Sequence, residues 1–216
     1  MSKKFKKLMK LTYLKIKLNN QGFTLVETLM VISLFTVVML IISQFSYNFY
    51  RQNEYALEQS AAIQNGRRGV ATLVGDLREA VPSQGGAYPI ETAEANSITF
   101  FSDIDRDEFV ERAYYYVNNQ AQLIKEVTEP VGSPATYSAS PTSTEIVAEY
   151  IINDLFEKDI FTYFDDSGSE IDNLNDADAV RFVEVNLIVN VDPARQPEEF
   201  VLRSSAYLRN LQPTLQ

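Results

Sequence analysis

The sequence predicts an α+β protein in which one long N-terminal helix precedes an antiparallel β-sheet domain. Three observations support this fold class. Between Glu27 and Arg51 lie 23 residues without a charge, beyond them apolar residues recur at helical spacing, and from Ser97 onward the pattern changes to strand-like runs. The 216 residues are about one domain's worth, so a second large domain is not expected.

The charge of the chain is distributed very unevenly. Its 19 basic and 29 acidic residues give a net charge of −10. Residues 1–22 hold seven lysines and no acid, so the remaining 194 residues carry a net charge of −17. A basic leader of this kind indicates a targeting or processing segment. An acidic body repels phosphates, which disfavours nucleic acid as its partner.

The composition excludes several kinds of chemistry. The chain has no His and no Cys, so it cannot build a Ser-His-Asp or Cys-His catalytic centre or an ordinary zinc or iron–sulfur site. Disulfides cannot form either. Abundant Asp and Glu residues are no evidence for a glycosidase, because some pair will lie at any chosen distance. We predict that the protein is not an enzyme.

The uncharged stretch is long enough to cross a membrane. As a helix, its 23 residues span about 34 Å, against a hydrocarbon core of about 30 Å. The lysines before it place the leader inside and the C-terminal body outside the cytoplasmic membrane. A conventional signal peptide and a plain single-span anchor are the alternatives. The signal peptide fits poorly, since the stretch is longer than a usual signal core and no small-x-small cleavage site follows.

The junction between leader and apolar stretch reads Gly22-Phe-Thr-Leu-Val-Glu27. It resembles the type IV prepilin cleavage motif, in which a basic leader ends in Gly and a Glu is the fifth residue of the mature chain. The resemblance implies cleavage between Gly22 and Phe23 by prepilin peptidase, a membrane aspartic peptidase that also methylates the new amino group of Phe23. It further implies an inner-membrane assembly platform and other pilins or pseudopilins as partners, and a pilin-like fold.

Glu27 is a candidate for setting the register between subunits. A carboxylate near the start of a membrane helix is costly unless it is paired. One turn after Phe23, it is placed to meet the positive N-terminal amine of a neighbouring subunit. The alternative is that Glu27 lies at the headgroup level and interacts with the helix dipole.

The helix is predicted to continue over residues 51–82 as an amphipathic segment, after a transmembrane and assembly part at 23–50. The first proline is Pro82, and Gly85-Gly86 follows it. The dense end of the apolar stripe is expected to pack on the sheet domain, and the thin part near Gln59 to remain available to neighbouring helices. The glycines of this segment are expected to allow close packing on the sheet. The stripe consists of Phe49, Ala56, Ile63, Val70 and Leu77, joined by Leu73, Val74 and Val81, and the glycines are Gly66, Gly69 and Gly75.

Residues 83–216 are predicted to form the β-rich extracytoplasmic domain, with six or seven strands in one antiparallel sheet. The Ser/Thr/Pro-rich segment 130–145 is predicted to be a flexible loop. Two long strands near the C-terminus are predicted to form a hairpin closed over residues 193–197. The patterns at 97–127, 161–168 and 200–210 resemble the PilW/PulJ type of minor pilin or pseudopilin.

Asp103, Asp105 and Asp107 alternate in the acidic turn between two predicted strands, with Glu108 and Glu111 beyond. Oxygen ligands in this pattern suit calcium. The EF-hand pattern is incomplete, because Glu108 stands at position six and Tyr114 at position twelve. The alternative is a solvated turn that binds no ion. A second acidic stretch, 165–178, has a poorer ligand pattern and is predicted to be a loop, with a calcium site as the alternative. No other cofactor is expected.

These features together predict a structural subunit, a minor pilin or pseudopilin, of a type IV filament or type II secretion-like system. It would be held in membrane lipid before extraction into an extracytoplasmic or surface filament. An adhesive or DNA-capturing tip pilin on the same scaffold is one alternative. A membrane-anchored extracytoplasmic protein that never polymerises is another.

Overall fold

A computed structural model of the protein describes residues 22–171, 177–195 and 199–208. The chain divides into two units, Met1–Arg51 and Gln52–Gln216. One long helix, α1 (Leu25–Arg78), is followed by β-strands and two short 3₁₀ turns, Asn153–Phe156 and Ala177–Ala179. This order confirms the predicted α+β, pilin-like layout.

Helix α1 has 54 residues and ends before the predicted boundary at 82. Its last turn tightens where the Glu79 and Ala80 amides donate to carbonyls three residues back, at 3.2 Å each. Ala80 then forms a bridge with Ser102, and the Val81 amide donates to the Phe101 carbonyl at 3.0 Å. Pairing with the neighbouring strand therefore ends the helix before Pro82, which would also have stopped it.

The structure places ten strands in three sheets within its described residues, where the sequence predicted six or seven strands in one sheet. The first has five antiparallel strands in the order β1-β2-β3-β4-β7, the second three in the order β10-β9-β8, and the third is the ribbon β5-β6. The strands are β1 (Ile90–Ala93), β2 (Ser97–Ser102), β3 (Glu111–Val117), β4 (Gln122–Thr128), β5 (Pro130–Val131), β6 (Thr136–Tyr137), β7 (Ser143–Glu149), β8 (Phe161–Phe164), β9 (Phe182–Val189) and β10 (Phe200–Tyr207).

The segment 130–145 is not a loop throughout. Strands β5 and β6 pair within it, and β7 begins at its end. Tyr137 anchors the ribbon, because its hydroxyl donates to the Val110 carbonyl at 2.7 Å and its ring packs on Phe101 at 5.1 Å between centroids. Partial burial of this aromatic ring stabilises the segment, although the composition of the segment is mostly polar.

The predicted C-terminal hairpin is confirmed. Strands β9 and β10 pair antiparallel from Phe182 opposite Tyr207 to Val189 opposite Phe200. The predicted turn at 193–197 lies partly outside the described residues. Upstream, β7 ends at Glu149, and Tyr150 then turns the chain with a φ of 62°.

The five-stranded and three-stranded sheets are joined near this turn. Ile151 forms a bridge with Val189. The buried Asn153 side chain donates to the Asn186 carbonyl and accepts from the Ile188 amide, at 2.8 Å each. One polar side chain thus satisfies two backbone groups of β9 that would otherwise be left unpaired in the core.

The buried face of α1 differs from the predicted apolar stripe in the N-terminal half of that stripe. Val70, Leu73, Val74 and Leu77 are buried as predicted. Phe49 and Ala56 are exposed, and packing begins instead at Tyr55, Gln59 and Ala62. An exact seven-residue repeat drifts about 20° per heptad around a straight helix, so the predicted positions rotate away from the core toward the N-terminus. Gln59 itself is therefore not free for neighbouring helices, whereas Leu57 and Ser60 beside it are exposed.

Two of the three helix glycines are sites of close packing. A Cβ on Gly66 would lie 2.7 Å from Leu202, and one on Gly69 would lie 2.9 Å from the Cβ of Ala148. A Cβ on Gly75 would meet nothing within 4 Å, so the expectation of close packing on the sheet was wrong for Gly75.

A largely buried ion pair also ties α1 to the five-stranded sheet. Lys125 Nζ lies 2.7 Å from Asp76 Oδ2, and the Tyr115 hydroxyl donates to the same oxygen at 2.6 Å.

Candidate functional site

The predicted processing positions are exposed at the start of the described chain. Gly22 is exposed, the Phe23 side chain is 81% exposed, and α1 begins two residues later at Leu25. A Cβ on Gly22 would meet nothing within 4 Å. The contacts among the described residues therefore do not require glycine at that position. The predicted leader before Gly22 lies outside the described residues.

Thr24 and Glu27 form a capping box at the start of α1. The Thr24 hydroxyl accepts from the Glu27 amide at 3.2 Å, and Glu27 Oε2 accepts from the Thr24 amide at 3.5 Å. This reciprocal pattern satisfies amide groups that a helix leaves unpaired at its N-terminus. Glu27 thus has a local structural role. Its contact with Thr24 is long, and the residue is exposed, so its carboxylate is accessible to a group from another molecule.

The first half of α1 presents apolar side chains that nothing in its own unit covers. Apart from the half-buried Ser46, every residue from Gly22 to Arg51 is exposed. A window of this helix has a mean hydropathy of 2.6, and its length and composition suffice to cross a membrane. A continuous apolar surface of this size is typical of a lipid-facing or partner-binding segment.

Aromatic side chains mark the end of the apolar stretch. Phe45 and Phe49 stack at 6.4 Å between centroids, and Tyr50 contacts Phe49 edge-on at 6.3 Å. The Arg51 guanidinium lies 5.8 Å from the centroid of the Tyr47 ring. Aromatic and basic residues in this arrangement are enriched where a helix leaves the hydrocarbon for water.

The acidic loop between β2 and β3 brings the three sequence-predicted aspartates together. One carboxylate oxygen each from Asp103, Asp105, Asp107 and Glu111 lies within 4.8 Å of those of the other three. Asp103 accepts from the Asp107 amide at 3.2 Å, and Asp107 accepts from the Phe109 amide at 2.9 Å. The three aspartates are exposed or half-buried, whereas Glu111 is buried.

Glu111 is the electrostatically unusual member of this cluster. It is 1% exposed, and its Oε2 accepts from the Ile104 amide at 2.7 Å. Among the described residues, no group donates a hydrogen bond to its Oε1. Burial raises the pKa of Glu111 to about 7, and the nearby charges of Glu129 and Asp105 also raise it, against the Ile104 hydrogen bond.

The second acidic stretch has a different geometry where it is described. Asp165 Oδ1 accepts from the Ser167 amide at 2.8 Å and the Ser169 amide at 2.9 Å. Hydrogen bonds from Ser167, then Ser169, hold the pKa of this exposed carboxylate below its ordinary value. Its local partners are those of a turn. Residues 172–176 of this stretch lie outside the described residues.

Sequence reasoning gave too little weight to Glu111 and missed the capping role of Thr24. Glu111 lies on the inward face of β3, the same face as the buried Ala113 and Tyr115. This two-residue alternation was visible in the sequence. The Thr24-x-x-Glu27 spacing likewise matches the capping-box signature.

Comparison with known proteins bears on the N-terminal segment. Residues 17–43 match the family model of the prokaryotic N-terminal methylation motif. Searches of curated proteins and of solved structures returned no match to the chain. The matched segment contains Gly22, Phe23, Glu27 and the first part of α1. The family that this motif marks is structural rather than enzymatic. The motif together with the helix-then-sheet layout supports a type IV pilin-like protein that is processed at its N-terminus.

Proposed function

We propose that the chain is a minor pilin or pseudopilin of a type IV filament or type II secretion-like system, of the PilW/PulJ type. The observation that carries this proposal is the direct junction of the methylation motif with a helix whose first half is exposed and apolar. A processing motif alone does not provide a surface for assembly. The apolar helix behind it supplies a surface that holds the subunit in lipid and then packs against other subunits.

In this function, prepilin peptidase cleaves after Gly22 and methylates the amine of Phe23. The subunit waits in the cytoplasmic membrane as a single span with its sheet domain outside. An inner-membrane assembly platform then transfers it into the filament, where helix–helix contacts replace lipid contacts. The positive amine of one subunit pairs with Glu27 of a neighbour, which sets the axial register.

The acidity of the mature chain favours a low-copy position. A net charge of −17 over residues 23–216 repels identical neighbours, and the cost rises with the number of copies packed together. A subunit present once or a few times, between less acidic partners, avoids most of this repulsion.

The N-terminus of the protein in its native host tests the processing step. Mass spectrometry of the chain isolated from membranes and from sheared filaments is expected to find methylated Phe23 as the first residue. Gly22→Leu is expected to leave the leader attached, and Gly75→Leu, at an exposed helix position, is the matched control that is processed normally. An intact Met1 leader on the wild-type chain, or a cut near residue 45, contradicts the proposal.

Quantitative mass spectrometry of the filament fraction tests the low-copy role. We expect the chain to be present at a few per cent or less of the most abundant pilin, and to disappear from this fraction in a strain without prepilin peptidase. A stoichiometry equal to that of the major subunit would contradict the minor role. Complete absence from filaments, with normal processing, would favour a membrane-anchored protein that does not polymerise.

A further inference from the structure

The acidic loop between β2 and β3 concentrates negative charge without a compensating cation from the chain. Four carboxylates, from Asp103, Asp105, Asp107 and Glu111, converge there within 4.8 Å. Among the described residues, no Lys or Arg side chain forms an ion pair with any of the four. Arg106, inside the loop, points its guanidinium to Glu79 at 3.7 Å instead.

The buried member of the cluster is an independent sign of a missing partner. Glu111 is 1% exposed, yet its Oε1 accepts no hydrogen bond from the described residues. A buried carboxylate oxygen in a folded protein is ordinarily hydrogen-bonded or bound to a metal. The same carboxylate is held by the Ile104 amide at 2.7 Å through its other oxygen, so the group is fixed in place with one oxygen unsatisfied.

We propose that this loop binds one Ca²⁺ ion through the carboxylates of Asp103, Asp105, Asp107 and Glu111. Three ligands come from alternate residues of the loop, and the fourth comes from the first residue of β3. The strand anchors one ligand rigidly while the loop adjusts the other three. Water or backbone carbonyl groups complete the six to eight oxygens that Ca²⁺ takes.

The chemistry of the ligands selects calcium over other cations. All four donors are carboxylate oxygens, the ligands that hard cations prefer, whereas zinc and copper prefer nitrogen or sulfur ligands. Oxygens around one Ca²⁺ at about 2.3–2.6 Å lie up to about 5 Å apart, which accommodates the observed cluster. Mg²⁺ requires oxygens at about 2.0–2.1 Å and gives up its waters reluctantly, so it fits four protein carboxylates poorly.

Calcium in this loop would also fix its contacts with neighbouring segments. The loop touches the region after α1 twice, through Arg106 to Glu79 at 3.7 Å and through the Glu108 carbonyl, which accepts from Gln84 Nε2 at 3.2 Å. Ordering of the loop by a cation therefore stabilises the link between the helix end and the five-stranded sheet. This site lies in the sheet domain, and the inference goes beyond the proposed filament function and does not depend on it.

The test measures binding to the full chain, purified in detergent and stripped with EDTA. Isothermal titration with CaCl₂ is expected to show one saturable site with a Kd of about 0.1–1 mM, the range of extracellular calcium modules. At about 10 mM CaCl₂ the unfolding midpoint is expected to rise by several degrees, and equal MgCl₂ is expected to shift it far less. Glu111→Gln and Asp105→Asn should each weaken binding at least tenfold.

Glu108→Gln provides the matched control, because Glu108 is an exposed acid of the same loop outside the cluster. It should bind calcium like the wild type. Asp105 is exposed, so Asp105→Asn carries the test if Glu111→Gln fails to fold. No saturable binding up to 10 mM CaCl₂, equal affinity for Mg²⁺, unchanged binding in both cluster variants, or an equal loss in Glu108→Gln would each overturn the proposal.

Discussion

Replacing Asp76 by Ala is expected to be among the most destabilising single changes in the sheet domain. Asp76 Oδ2 receives the Lys125 ammonium at 2.7 Å and the Tyr115 hydroxyl at 2.6 Å. The Lys125 side chain is 8% exposed, and Tyr115 is fully buried. Without the carboxylate, a buried positive charge and a buried hydroxyl both lose their partner.

The size of the loss follows from this burial. Removing one member of a buried ion pair costs about 3–5 kcal/mol, because the remaining charge is left uncompensated. The Asp76 side chain is 18% exposed, so water can partly replace it and the lower end applies. A loss of about 3 kcal/mol lowers the unfolding midpoint of a domain of this size by about 6–12 °C.

The assay is thermal unfolding of the full chain in detergent, followed by near-ultraviolet circular dichroism. The signal reports tyrosine packing, since the chain has 12 Tyr and no Trp. Adding Lys125→Met to Asp76→Ala removes the uncompensated charge and should recover part of the loss. If Asp76→Ala unfolds within 1–2 °C of the wild type, or if the double variant is no more stable than Asp76→Ala, the reasoning is wrong.

Three further predictions concern α1. Gly69→Ala places a Cβ 2.9–3.0 Å from β7 and should cost about 2 kcal/mol, whereas Gly75→Ala meets nothing and should gain up to about 1 kcal/mol from helix propensity; thermal unfolding that moves both the same way contradicts this. Gln59→Leu removes the hydrogen bonds of Gln59 to the Val189 carbonyl and to the partly buried Val191 amide, and should cost about 1–3 kcal/mol in the same assay; an unchanged midpoint would show that water replaces the side chain. Glu27→Gln preserves the capping box but removes the charge, so it should reduce incorporation into filaments, measured by immunoblot of the sheared fraction, more than Thr24→Ala does; normal incorporation of Glu27→Gln rules out the register role.

The strands that sequence reasoning located are those with a long alternating pattern. β3 and β9 have seven and eight residues, and in both alternate side chains are buried along most of their length. β5 and β6 have two residues each, too few for any period to appear. Their pairing depends on Tyr137 finding Phe101 and Val110, which is tertiary information that a local pattern does not contain.

The buried face of α1 shows a second limit of pattern reasoning. The N-terminal part of this buried face consists of Tyr55, Gln59, Ala62 and Gly66. Only Tyr55 and Ala62 among them count as apolar residues in a hydrophobic pattern. Gln59 is buried because it accepts from the Val191 amide at 2.9 Å and donates to the Val189 carbonyl at 3.4 Å. The stripe was predicted from the spacing of apolar residues alone. A buried Gln that bonds to backbone groups, or a buried Gly beneath a neighbouring side chain, does not appear in such a pattern.

The processing segment and the acidic loop differ in how far sequence reasoning reaches. Gly22 to Glu27 form a continuous motif, so the motif can be recognised from the sequence without a structure. The cluster around Glu111 is assembled from a loop and a strand, and only the fold shows that Glu111 turns inward with one oxygen unsatisfied.

Glu27 and Glu111 have in common a carboxylate whose charge the described chain does not neutralise. Glu27 starts an apolar helix and is held only by neutral groups of Thr24. Glu111 lies in a core position among other acids. In the two proposals above, the positive charge comes from a neighbour's amine at Glu27 and from a cation at Glu111. A Glu→Gln change keeps the size and the hydrogen-bond acceptor of each side chain while removing its charge. If charge is what each site requires, both Gln variants lose their function although the fold is retained.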